Sequence, residues 1–372
     1  MLKKYFLNFY DIYISNIIKK LKNENKKALG QIGILKFLFS IVVILSHFYK
    51  FKIDNFLQWK DRGALAVHCF FIISGFFFYN TIKKIDKISF EEFSFKKIFR
   101  LYPVFLFNII LYGKKFIKFT SNFFMLSIGI MKEYPTSIWY IGVLFYVLLF
   151  YFYLYKNYQR KNVNLIIVII MYFSSMFLFN KKPKWFGTWQ NDFIFFNSGF
   201  IRGLLFVGLG IFSHIFYEKI SLFFNKRENK QSKLYFLIFS ILEIIFFHKM
   251  IKYLFIKNKV NALNAGLDFC ILLCLFVTKK GILSKILDNK ISIKLGEYSY
   301  SIYVMHYICL KTLNKFSING IPLRGFFSDT NFNIFLVLSC VLFGILVYYL
   351  VEKPSYKYLS DRFLNNEKKV LN

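Results

Sequence analysis

Ten stretches of this sequence are apolar over nearly the length a helix needs to cross a bilayer, about 20 residues at about 1.5 Å each. They fall at residues 29–49, 63–80, 98–113, 138–155, 164–179, 198–217, 234–256, 263–278, 295–314 and 332–352. Several are shorter than ideal and carry Gly, Pro or polar residues, which suits helices that line a cavity inside a bundle. A soluble core could not hide the rings of this 372-residue chain, which has 52 Phe, 26 Tyr and only 19% charged residues. Soluble domains carry about a quarter charged residues. The expected fold is therefore all-α, a polytopic membrane bundle of about ten transmembrane helices over residues 29–352. A basic segment, 1–28, precedes it and a basic tail, 353–372, follows. Residues 116–131 form a candidate re-entrant segment.

The formal net charge of +32 would suit a nucleic-acid partner, but the basic residues are interleaved with apolar spans. The bilayer is the expected partner, and no nucleic acid. With an even number of spans and the N-terminus inside, the inner segments hold 30 basic residues and the outer ones 16. That asymmetry puts both termini in the cytoplasm. Residues 2–21 place Leu2, Phe6, Phe9, Tyr13, Ile17 and Leu21 at helical spacing. This pattern predicts an N-terminal amphipathic helix lying on the inner leaflet. The first apolar run is too long for the core of a cleaved leader. All five Cys lie in spans and read as small buried apolar residues.

Chemistry in such a chain belongs to ionisable residues inside the membrane. Apart from Lys311 at the outer end of the ninth span, five basic residues fall within spans: Lys36, Arg100, Arg202, Lys249 and Lys252. The last two are placed to snorkel to the surface. Lys36 and His47 are eleven residues apart in the first span, so they share a helix face about 16 Å apart. A cation able to hold a phosphate and an imidazole able to act as a base are thereby aligned along a transmembrane path. His306 lies at a depth similar to that of His47. It serves either as a catalytic partner or as a buried His held by the Ser299 or Tyr300 hydroxyl. Arg202, Asp268, Glu243, His214 and His248 are intramembrane ionisable residues that no motif explains. His47, His68 and His306 show no local metal-ligand spacing, and no metal is expected.

Specific motifs follow in order. Lys36 and His47 open a K/R-x10-H helix. Val67, Phe70, Phe71, Ser74, Gly75 and Phe76 form V-x-x-F-F-x-x-S-G-F in the second span. Lys97, Arg100, Tyr102 and Pro103 lead into the third, and Trp139 with Tyr140 opens the fourth. Gly296, Ser299, Tyr300, Tyr303 and His306 form G-x-x-S-Y-x-x-Y-x-x-H, and Glu352 with Pro354 ends the last span. This ordered set resembles membrane acyltransferase family 3, the bacterial O-acetyltransferases of surface glycans, over about residues 30–360. There are departures: the family's first-helix Arg is Lys36, its R-x-x-R begins at Lys97, an often acidic position is His68, and a frequent fourth-helix Glu is Leu144.

The resemblance implies an acyltransferase of the bacterial inner membrane with acetyl-CoA as donor. The acceptor would be a hydroxyl of a glycan or lipid-linked glycan on the outer side. Lys36, Lys97 and Arg100 would neutralise the donor's phosphates, and Ser74 is a candidate to touch the thioester. His47 would be the catalytic base or the acyl carrier, since imidazole titrates near neutrality. A transporter or flippase is the alternative class, although no paired halves or matched broken helices support it.

Overall fold

The computed structural model describes residues 29–48, 60–112, 138–181, 198–225, 228–256, 260–318 and 321–359. The predicted amphipathic helix at 2–21, the candidate re-entrant segment at 116–131 and residues 360–372 of the tail lie outside them.

Among the described residues eleven α-helices carry the fold: α1 Gly30–His47, α2 Lys60–Ile82, α3 Phe90–Tyr112, α4 Trp139–Asn157, α5 Arg160–Lys181, α6 Ser198–Asn225, α7 Glu228–Ile251, α8 Ala262–Thr278, α9 Ile282–Leu287, α10 Lys290–Lys315 and α11 Asp329–Val347. Five-residue π-helical turns extend α7 (Lys252–Ile256) and α11 (Tyr348–Glu352). A two-residue hairpin, β1 Ser317–Ile318 paired with β2 Ile321–Pro322, is the only sheet among the described residues.

Each of the ten predicted segments falls on one of these helices. By length and hydropathy, seven helices among the described residues are able to cross a membrane, including α11 with its extension, and α8 is a shorter apolar helix. The third helix starts earlier than its apolar run. Ser89 Oγ accepts from the Glu92 backbone N–H at 3.1 Å, a capping arrangement that begins α3 at Phe90. Lys97 and Arg100 are therefore well inside the helix rather than at its entry.

The helices run alternately between two ends. At the near end, where α1 starts, Gly30 N–H donates to Asp288 Oδ1 at 2.9 Å, and Gln31 Nε2 donates to the Phe276 carbonyl at 2.9 Å. Lys83 at the end of α2 pairs with Glu218 of α6, and Lys156 donates to the carbonyls of Ile85 and Ile88, each at 3.0 Å. At the far end, buried Arg62 donates to the Phe255 carbonyl at 2.8 Å.

Two helix crossings admit no side chain. A Cβ on Gly296 of α10 would run into Gly33 of α1, and one on Gly33 into the Ser292 carbonyl. Where α2 crosses α6, a Cβ on Gly75 would strike the Val207 carbonyl, and one on Gly210 the Ile72 carbonyl. Close backbone approach between small residues is how helices associate where lipid provides no hydrophobic drive. The obstacle in each case is backbone, which cannot swing aside. Gly296→Leu and Gly210→Val should therefore cost more than the roughly 1–3 kcal/mol of ordinary overpacking. Thermal unfolding in detergent should show both variants severely destabilised. Gly325→Ala, which meets only the tip of the Ile321 side chain at 3.1 Å, should unfold like the parent.

Candidate active site

The site is built mainly on α1 and α10, parallel neighbours that touch at Gly33 and Gly296. His47 lies in the last turn of α1, and the ring centroids of His47 and His306 are 5.0 Å apart with planes inclined at 32°. Tyr307 meets His47 edge-on at 5.7 Å. His306 is fully buried and His47 half-buried. The structure thus brings together the two histidines that the sequence placed at similar depth.

His306 is not held by the Ser299 or Tyr300 hydroxyl, as one of the two expectations had it. Ser299 donates to the Gly296 carbonyl at 2.8 Å and Tyr300 to the Leu101 carbonyl at 2.5 Å. A hydroxyl in a helix readily turns back onto its own preceding turn, which removes Ser299. His306 Nδ1 instead lies 2.6 Å from the Tyr303 carbonyl oxygen. A carbonyl only accepts, so Nδ1 carries the proton and Nε2 holds the lone pair of the neutral ring.

Toward the near end, Lys36 lies within electrostatic reach of Arg100 and Glu352. Glu352, in the π-helical turn after α11, accepts from Ser301 Oγ at 2.5 Å. Arg100 is exposed although it lies ten residues into α3, and its charge also reaches Tyr140 and Tyr300. Two cations and one carboxylate therefore share this mouth. Lys97 is placed differently: its ammonium lies 5.3 Å from the centroid of the Phe93 ring, one turn back on its own helix.

Between mouth and histidines runs a row of rings. Tyr140 and Tyr303 are 5.4 Å apart, Tyr303 and His306 5.9 Å, and Phe70 lies 5.8 Å from Tyr303. Ser74 borders the row, with its Oγ donating to the Phe70 carbonyl at 2.8 Å and lying 3.5 Å from the Tyr140 hydroxyl. Ser74, Lys36, Arg100 and the two histidines are thus linked through Tyr140 and Tyr303. Sequence reasoning singled out neither tyrosine as a site residue, and it read Glu352 only as the end of a motif. An acid inside the last apolar run was the available signal for Glu352.

The remaining intramembrane charges lie elsewhere. Asp268 accepts from Tyr253 at 2.7 Å and pairs with Lys249 at 3.3 Å, so Lys249, expected only to snorkel, is ion-paired. Glu243 accepts from the Ser284 backbone N–H at 3.0 Å. His214 Nε2 lies 3.7 Å from Glu218. His68 stacks on Phe206, away from the histidine pair. Among the described residues no three His, Cys, Asp or Glu side chains are grouped to hold a metal ion.

The described residues thus form an all-helical bundle with several helices long and apolar enough to cross a membrane, and with a histidine pair in its interior. The acyltransferase-domain family matches residues 29–352, and the chain belongs to that family. Of the two classes left open by the sequence, the match selects transferase over transporter. No curated protein and no solved structure matches the chain.

The shared mouth makes a specific coupling measurable. Glu352→Gln leaves Lys36 and Arg100 facing each other without their carboxylate and should destabilise the protein. Lys36→Met in that background should recover part of the loss. The expected interaction between the two substitutions is about 0.5–3 kcal/mol in a double-mutant cycle by thermal unfolding. Strict additivity would mean that the charges do not sense one another.

Proposed function

We propose that the protein moves an acetyl group from cytoplasmic acetyl-CoA to a hydroxyl of a cell-surface or lipid-linked glycan. The observation that carries this reading is the connection of a two-cation mouth to a histidine pair through Ser74, Tyr140 and Tyr303. The near end is the cytoplasmic one on the basic-residue asymmetry, with both termini there and the far end facing out. Coenzyme A carries several phosphate charges, and Lys36 and Arg100 suit them. The roughly 16 Å along α1 from Lys36 to His47 is comparable to the reach of a phosphopantetheine arm, which would bring the thioester to the imidazoles.

In the reaction, an imidazole nitrogen takes the proton of the acceptor hydroxyl as its oxygen attacks the thioester carbonyl carbon. The tetrahedral intermediate collapses, the carbon–sulfur bond breaks, and the thiolate leaves. Return of the proton from the imidazolium gives free coenzyme A and the acetyl ester. His47, at the far end and half-exposed, is the group that meets the acceptor. His306, with its lone pair on Nε2, is the buried partner. In the alternative course, His47 itself takes the acetyl group and passes it on.

Membranes holding each variant at matched abundance and supplied with radiolabelled acetyl-CoA test this reading. Loss of a general base costs on the order of 100- to 10,000-fold, so His47→Ala should abolish transfer with little effect on folding. Appreciable transfer by that variant would sink the mechanism, and uptake of label without thioester consumption would sink the reaction. Trapped label on His47 would select the acyl-carrier course over the base. Lys36→Ala should weaken coenzyme A binding, and Lys36→Arg should be tolerated because charge and reach are kept. Unchanged donor affinity in Lys36→Ala would remove Lys36 from the donor site.

A further inference from the structure

Outside the row from mouth to histidines, two groups are buried toward the far end without the partners their chemistry requires. Arg202 lies in the first turns of α6 and is 1% exposed. Its Nε donates to the Ser198 carbonyl and its Nη2 to Ser198 Oγ, both at 3.1 Å. The guanidinium carbon lies 5.3 Å from the centroid of the Trp139 ring, at the start of α4. Beside it, on α2, His68 is 1% exposed and feels the Arg202 charge. The His68 ring is stacked on Phe206 with centroids 4.1 Å apart. Among the described residues, neither ring nitrogen of His68 has a hydrogen-bond partner.

A guanidinium has five N–H donors, and an imidazole in any state has at least one. Here two donors of the first are engaged and none of the second. A desolvated cation next to a ring that can itself become cationic is costly unless negative charge compensates it. Among the described residues the two buried carboxylates are engaged elsewhere, Glu92 with Lys96 and Glu243 with the Ser284 N–H, as are half-buried Asp268 with Lys249 and Tyr253 and Glu352 with Ser301. Among the described residues no carboxylate pairs with Arg202.

We propose that Arg202 and His68, bordered by Trp139, form a subsite for an oxyanion, a carboxylate or phosphate, borne by the acceptor. Arg202 is four residues from the first residue of α6, and Trp139 is the first residue of α4, so the subsite sits at the same end of the bundle as His47. A planar guanidinium donates two parallel hydrogen bonds to one oxyanion, and an imidazole N–H adds a third from another side. The preferred acceptor is then an acidic glycan or a phosphate-linked one, and a neutral sugar leaves the buried charge uncompensated. Calling the ligand an acceptor rests on the proposed transferase reading. The anion site itself does not.

Binding to the full-length protein in phosphatidylcholine nanodiscs, with no acetyl donor present, separates the two. Sodium glucuronate is the carboxylate probe, a polyprenyl phosphate in the bilayer is the phosphate probe, and glucose is the neutral control. At least one anion should raise the melting midpoint of the parent by several degrees while glucose leaves it unmoved, and which anion does so identifies the source. Arg202→Gln should lower the affinity for that anion on the order of tenfold or more. His68→Phe keeps the stack on Phe206 but removes the N–H, and should weaken the same binding if Arg202→Gln fails to fold. No shift with either anion, an equal shift with glucose, or unchanged anion affinity in His68→Phe would overturn the subsite. Anion binding by a protein that transfers no acetyl group would instead leave the subsite standing and overturn the transferase reading.

Discussion

The contact of Gly33 with Gly296 decides where the candidate chemistry lies. With no side chain between them, α1 and α10 run in parallel and nearly backbone to backbone. From that contact the chain climbs roughly 21 Å to His47 and roughly 15 Å to His306 at 1.5 Å per residue. The difference is about one turn, within the span of two facing rings. A bulkier residue at either glycine would push the axes apart and separate the imidazoles by a similar amount. The position of the ring pair is therefore set by a packing contact near the opposite end of the bundle.

The second constraint is the absence of bulk water around buried charge. Each ionisable group must find its compensation inside the protein or in a ligand. Asp268 is compensated by Lys249 and Tyr253, and Glu352 by Ser301 and the nearby cations. The mouth sets Lys36 and Arg100 against one carboxylate, so it carries an excess of positive charge.

Much of this was legible in the sequence, for reasons that differ by element. Long apolar runs dictate helices because a backbone in lipid must satisfy its own hydrogen bonds, and all ten predicted segments lie on helices. Helix ends were less legible. α3 begins at Phe90 and α10 at Lys290, ahead of their apolar runs, because polar capped turns continue the helix. The shared face of Lys36 and His47 followed from the helix period alone. The meeting of His47 with His306 depends on the register between two helices about 250 residues apart, which no local pattern encodes. Tyr140 and Tyr303 stand in the motifs without a role for the same reason, since only packing brings the two rings together. Lys97, which its motif put at the donor mouth, has its ammonium over the Phe93 ring, a contact within its own helix that the helix period allows.

Between the charged end and half-exposed His47 the interior is filled rather than open. The ring row accounts for this. Phe70, Tyr140 and Tyr303 are each less than 10% exposed, with centroids 5.4 to 5.9 Å apart, so they close the interior between the ends. The row is apolar on its ring faces and polar only at the phenol hydroxyls. It is also made of side chains rather than backbone, unlike the glycine crossings beside it. Rotation about two torsions of a tyrosine displaces a ring without moving a helix. The architecture therefore combines a rigid frame, fixed by glycine contacts, with a deformable seal.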